Sequence, residues 1–138
     1  MAYSAKDKAQ CDAIMHAFQP YLDRHSHKGR PYFDVMYSKK FETYLYVCDA
    51  IETDKMGISD ATWLETPQQM LETFMNEVID DVVFYEMVQA SVEERKAGFM
   101  RIINEALGRM DDENRALCEP VVRVYVETED FAKDIHNP

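Results

Sequence analysis

The side chains best suited to chemistry are histidines and carboxylates, and they gather in two stretches of the chain. In the first, His25 and His27 flank Ser26, with Asp23 just before them and His16 upstream. Imidazole and carboxylate together form a ligand set for zinc or another divalent ion. The spacing argues against that use. Residues two apart on a helix face nearly opposite sides, so His25 and His27 converge only in extended backbone. Their plainer role is that of polar residues at a helix exit. Asp12 and His16 have the spacing of a general base and its orienting acid. The commoner meaning of that spacing is an exposed helix pair worth about 0.3–0.5 kcal/mol.

In the second stretch, Glu77, Asp80 and Asp81 cluster on one side of a helical segment, with Glu86 just beyond. Paired carboxylates can hold metals or raise one another's pKa. Di-metal helical bundles, however, repeat a Glu-x-x-His motif on two helices, and the chain has none. Their plainer role is that of a solvated acidic face. Glu93-Glu94 and Asp111-Asp112-Glu113 lie at helix starts, where the macrodipole favours negative charge. There is no Gly-x-Ser-x-Gly elbow, glycine-rich phosphate loop or Cys-x-x-Cys, and the four glycines are scattered. These absences lean away from an enzyme, and no cofactor or metal is expected.

Charge narrows the partner. The 138 residues carry a formal net charge of −11. Residues 1–48 are net +2 and residues 49–138 net −13, with 12 acids and one base between Asp49 and Glu94. Direct nucleic-acid binding needs clustered Lys and Arg and is not expected, nor is an anionic membrane surface. Carboxylates spaced along helices can instead imitate a phosphate backbone and occupy a basic groove on another protein. Glu72, Glu77, Asp80 and Asp81 are the candidates for such a face.

Aromatic residues form the other unusual feature. Six of the sixteen lie between Tyr32 and Tyr46, interleaved with Lys39 and Lys40. Such side chains are typical interface hot spots. Their plainer role is to cover a hairpin packed on helices; aromatic platforms with flanking bases can also stack nucleobases, against which the net charge weighs. Tyr32, Tyr37, Tyr44 and Tyr46 are the candidate binding residues.

The elements that must position these groups follow from periodicity. Ser4 and Asp7 suggest a helix start, and Cys11, Ile14, Met15, Phe18 and Leu22 recur at helical spacing. Pro20 is expected to kink or reset that helix. Tyr32–Tyr37 and Phe41–Cys48 have strand composition and read as a hairpin joined by Ser38-Lys39-Lys40. On the second strand Phe41, Thr43, Leu45 and Val47 share one face, and Glu42, Tyr44, Tyr46 and Cys48 the other. Residues 49–65 read as a loop carrying Trp63. Thr66-Pro67-Gln68-Gln69 opens a helix to about Gln89, and Ser91-Val92-Glu93-Glu94 opens the next, with Phe99, Met100, Ile103, Ala106, Leu107 and Met110 buried. Residues 121–126 have strand composition, yet apolar spacing from Leu117 to Ile135 favours a helix broken or kinked at Pro120. The alternative is a third strand over 121–126 that would support the hairpin, since two strands alone are marginal.

The expected fold is therefore α+β and mostly helical, about four helices packed on a β-hairpin, as a single domain over 1–138. Three widely spaced cysteines fit reduced thiols. With no signal-like apolar start and no membrane-length run, the protein is expected to be cytoplasmic. The expected function is a non-enzymatic, protein-binding adaptor or regulatory domain. Its alternatives are a small acidic charge mimic that inhibits a nucleic-acid-binding protein, of phage or mobile-element type, and a metal-dependent enzyme using the helix carboxylates or His25 and His27. The apolar faces also suit a homo-oligomer.

Overall fold

The hydroxyl of Ser4 accepts the amide of Asp7 at 3.1 Å and so caps the first helix, α1, Ala5–His25. The structure is a computed structural model describing residues 3–25, 33–48 and 61–133, the side chains of His25 and Cys48 excepted. The strands are β1 Phe33–Ser38, β2 Thr43–Cys48 and β3 Ala61–Leu64. Helix α2, Pro67–Val78, continues as a π-helical segment, Ile79–Glu86, before α3, Val92–Gly108, and α4, Asp112–Thr128. This is the mostly helical α+β fold that the periodicity predicts. No helix among the described residues is long and apolar enough to cross a membrane. The chain forms two compact units, Met1–Met70 and Leu71–Pro138.

In the first unit, α1 buries Cys11, Ile14, Ala17, Phe18, Tyr21 and Leu22. Pro20 sits inside α1 without ending it, and the burial of Tyr21 and Leu22 holds the last turn in place. The antiparallel sheet has the order β1-β2-β3. The expected hairpin is present, with Phe33 opposite Cys48 and Ser38 opposite Thr43. Its second strand starts two residues later than composition suggests, because Phe41 and Glu42 belong to the turn. There Ser38 Oγ accepts the Phe41 amide at 3.1 Å, and Glu42 takes a left-handed φ of 54°. A side chain in that region costs roughly 1–2 kcal/mol that glycine avoids. Glu42→Gly is accordingly expected to raise stability by about 0.5–1 kcal/mol, read as a higher urea midpoint at unchanged slope.

The third strand is not at 121–126. It is Ala61–Leu64, within the segment read as a loop, paired antiparallel with β2 so that Leu64 faces Tyr44 and Trp63 faces Leu45. A four-residue strand is too short for an alternation signal, and β2 supplies its hydrogen-bonding edge. Residues 121–126 are helical. α4 runs unbroken through Pro120, capped by Asp111, whose carboxylate accepts the Asn114 amide at 2.8 Å.

In the second unit the chain from α2 stays helical to Glu86, but its winding widens after Val78. The Met87 amide donates to the Val82 carbonyl at 2.8 Å, a five-residue hydrogen bond. The Ser91 capping box at α3 is complete, with reciprocal bonds of 3.1 and 2.9 Å to Glu94. α3 buries Phe99, Ile102, Ile103, Ala106 and Leu107, while Met100 is only half-buried. Phe99 stacks on Tyr125 of α4 at 5.7 Å and meets Phe131 edge-on at 5.6 Å. Arg95 is wholly buried, and its guanidinium donates to the carbonyls of Met87, Val88, Phe131 and Lys133 at 2.8–3.3 Å.

Candidate partner-binding surface

The period of two along a strand sends alternate side chains to opposite faces of the sheet. Residues opposite one another in the register share a face. Phe33, Val35, Tyr37, Tyr44, Tyr46 and Leu64 therefore lie on one side, and Met36, Leu45, Val47 and Trp63 on the other. The first is the inner face. Phe33, Val35, Tyr44 and Leu64 are buried, and the Phe33 ring lies 6.2 Å from Tyr21 of α1 and 6.5 Å from Tyr46.

This inner face holds three of the four tyrosines singled out from sequence, and Tyr32 lies outside the described residues. Tyr44 is buried, and its hydroxyl donates to Asp12 at 2.7 Å. Lys8 donates to the other oxygen of the same carboxylate at 2.8 Å and stands 4.9 Å from the Tyr37 ring centroid. Tyr37 meets Tyr44 edge-on at 5.0 Å and keeps about a third of its surface exposed. Asp12 thus pairs with Lys8 and Tyr44, and His16 points to the exposed side of α1. Tyr3 completes the arrangement. Its hydroxyl donates to the Leu64 carbonyl and accepts the Tyr44 amide at 3.0 Å, bridging β2 and β3. Burial pushes the Cys11 thiol up to about 11 and raises the phenols of Tyr3 and Tyr44 well above their usual range. Cys11 is a proton-holding core thiol, without the electropositive niche of a reactive one. The hydrogen bond to Asp12 raises the Lys8 ammonium.

The outer face is different in kind. Met36 and Phe41 are each 46% exposed and Trp63 38%, large apolar side chains of the types that dominate interfaces. Phe41 reaches this side from the turn and meets the indole of Trp63 at 5.3 Å and 67°. The two rings, with Thr43 and Glu65, line a slot of about 250 Å3. Lys40 Nζ lies 5.3 Å from the Phe41 ring centroid. The helix that follows fixes the slot's far wall. Thr66 Oγ1 accepts the Gln69 amide at 3.0 Å, and the Gln69 side chain then takes the Glu65 amide at 2.8 Å and donates to the Trp63 carbonyl at 3.2 Å. Sequence reasoning placed Trp63 in a loop and missed Glu65. The only available signal was an aromatic residue three positions before a strong helix cap.

The four acidic candidates separate. Glu77 is buried on α2, while Asp80 is exposed and Glu72 and Asp81 are half-buried. Glu72, Asn76 and Asp80 recur every four residues. Tyr125 of α4 donates from its hydroxyl to Asn76 Oδ1 at 2.5 Å. Burial, then the charges of Glu129, Asp80 and Glu72, raise that phenol well above its usual range. The Asp80 carboxyl is itself raised by desolvation, against the pull of Lys133. Glu72 and Asp80 thus share one surface with Glu129, and Glu77 does not belong to it. Among the described residues no group of three or more His, Cys, Asp or Glu is placed to hold a metal ion. The His25 side chain and His27 lie outside the described residues.

No protein-family model, curated protein or solved structure matches the chain.

Proposed function

We propose that the chain is a non-enzymatic, cytosolic protein-binding domain that meets its partner through the outer face of the β1-β2-β3 sheet. One observation carries this reading: Tyr44 is buried and bonded to Asp12 of α1, while the sheet's other face leaves Met36, Phe41 and Trp63 exposed. Exposed aromatic and methionine side chains on one rigid face are what a hot-spot cluster requires. The test is retention of a partner from source-cell lysate by wild type, Trp63→Ser and Met36→Asp, each with an unchanged circular dichroism spectrum. Wild type is expected to hold the partner at low and high salt. Trp63→Ser should weaken it by about 30-fold or more, the loss typical of a central anchor. Equal retention by all three proteins would defeat the reading.

The charge-mimic reading has its own support, the grouping of Glu72, Asp80 and Glu129 around Tyr125. It predicts a basic, nucleic-acid-binding partner shed at high salt. That partner would be weakened by Glu72→Gln with Asp80→Asn and be indifferent to Trp63→Ser.

A further inference from the structure

We infer that the slot between Phe41 and Trp63 receives one cationic side chain, lysine or arginine, from the partner. The inference rests on the outer sheet face being the partner surface. A slot of about 250 Å3 holds the share of roughly eight waters at about 30 Å3 each, ample room for one long side chain. Two of its lining side chains are aromatic rings meeting edge to face at 67°, and a ring face left open attracts a cation through its quadrupole. Glu65 adds a carboxylate to the lining. An apolar occupant would desolvate that carboxylate without replacing its water, which is costly. A cation compensates it and meets the rings at once. The molecule already shows that one of these rings takes an ammonium, because its own Lys40 stands 5.3 Å from the Phe41 centroid. The Gln69 bonds to Glu65 and Trp63 hold the far wall in place before binding, which lowers the ordering cost.

Trp63 is the only tryptophan, so its indole N–H resonance reports the slot alone. The probes are four capped tripeptides, acetyl-Gly-X-Gly-amide with X as Arg, Lys, Leu or Glu, titrated into the full chain by NMR. The Arg and Lys peptides are expected to shift the resonance saturably, and the Leu and Glu peptides not. Glu65→Gln should weaken the basic peptides by about fivefold, as for a partly exposed charge pair. Leu binding as tightly as Arg and Lys, or no peptide shifting Trp63, overturns the inference. If no peptide binds while Trp63→Ser still abolishes partner retention, the cation slot alone has failed. If retention ignores Trp63→Ser and Met36→Asp, the surface itself has failed.

Discussion

Arg95→Met is expected to cost about 4 kcal/mol of stability, a large part of the roughly 5–15 kcal/mol that holds a domain together. Arg95 is 0% exposed, yet it is bound to backbone, with donors to the Met87, Val88, Phe131 and Lys133 carbonyls. Those acceptors belong to the turn after the π-helical segment and to the turn after α4. One planar fork therefore ties three stretches of chain together. The guanidinium also lies 5.1 Å from the Phe84 ring centroid. Methionine fills much of the volume but donates nothing. Each buried carbonyl left without a donor costs about 1–3 kcal/mol, less where water reaches it, as near the exposed Val88 and Lys133. Arg95→Lys keeps the charge and loses the fork, so it should cost about half as much. Urea unfolding followed by far-ultraviolet circular dichroism measures both. A loss under about 1 kcal/mol for methionine would mean that the carbonyls find other donors.

Stability is expected to be level to about pH 9 and then to fall as pH rises. The Cys11 thiol is pushed from an ordinary 9.0 up to about 11 by burial. Between those values the unfolded chain has released a proton that the folded chain still holds. Fewer protons on the unfolded state mean that stability decreases with pH, by at most about 1.4 kcal/mol per unit for this group. The raised phenols of Tyr3, Tyr44 and Tyr125 act in the same direction above pH 10. Urea midpoints at pH 7.5, 9, 10 and 10.5 check this. Cys11→Ala should stay level to about pH 10 and only then decline with the tyrosines. A wild-type midpoint unchanged between pH 9 and 10.5 would contradict the burial of the thiol and the phenols together.

Where one local interaction decides an element, the residues announce it. Thr66 and Ser91 both cap helices because the signal lies within four residues and needs nothing distant. Helical spacing outweighs strand composition in α4 for a related reason, since five turns of apolar recurrence carry more information than one β-branched run. The π-helical segment is harder to read. Its sequence keeps an apolar recurrence compatible with an ordinary α-helix, and only packing rewards the wider turn beside Phe84 and Arg95. Arg95 itself left a faint trace. It lies four residues before Phe99 and seven before Ile102, on the buried stripe of α3. An arginine on such a stripe is ordinarily counted as surface, because the backbone acceptors that satisfy it come from elsewhere in the chain.

The candidate surface divides along the same line. Alternation in the hairpin specifies two faces, one bearing Tyr44 and Tyr46 and the other Leu45 and Val47. It does not say which is covered. That choice is made by α1, through Asp12 to Tyr44 and Tyr21 to Phe33, and it buries Phe33 and Tyr44 and leaves Met36 outward. Trp63 joins the outer face only because β3 pairs with β2, a contact across a stretch of chain whose length no local pattern encodes. The residues alone determined a charged, mostly helical α+β chain with a hairpin and well-marked helix starts, since those depend on neighbours within a turn or two. Tertiary structure alone decided which aromatics reach solvent and which carboxylates meet, since both depend on residues brought together from distant parts of the sequence.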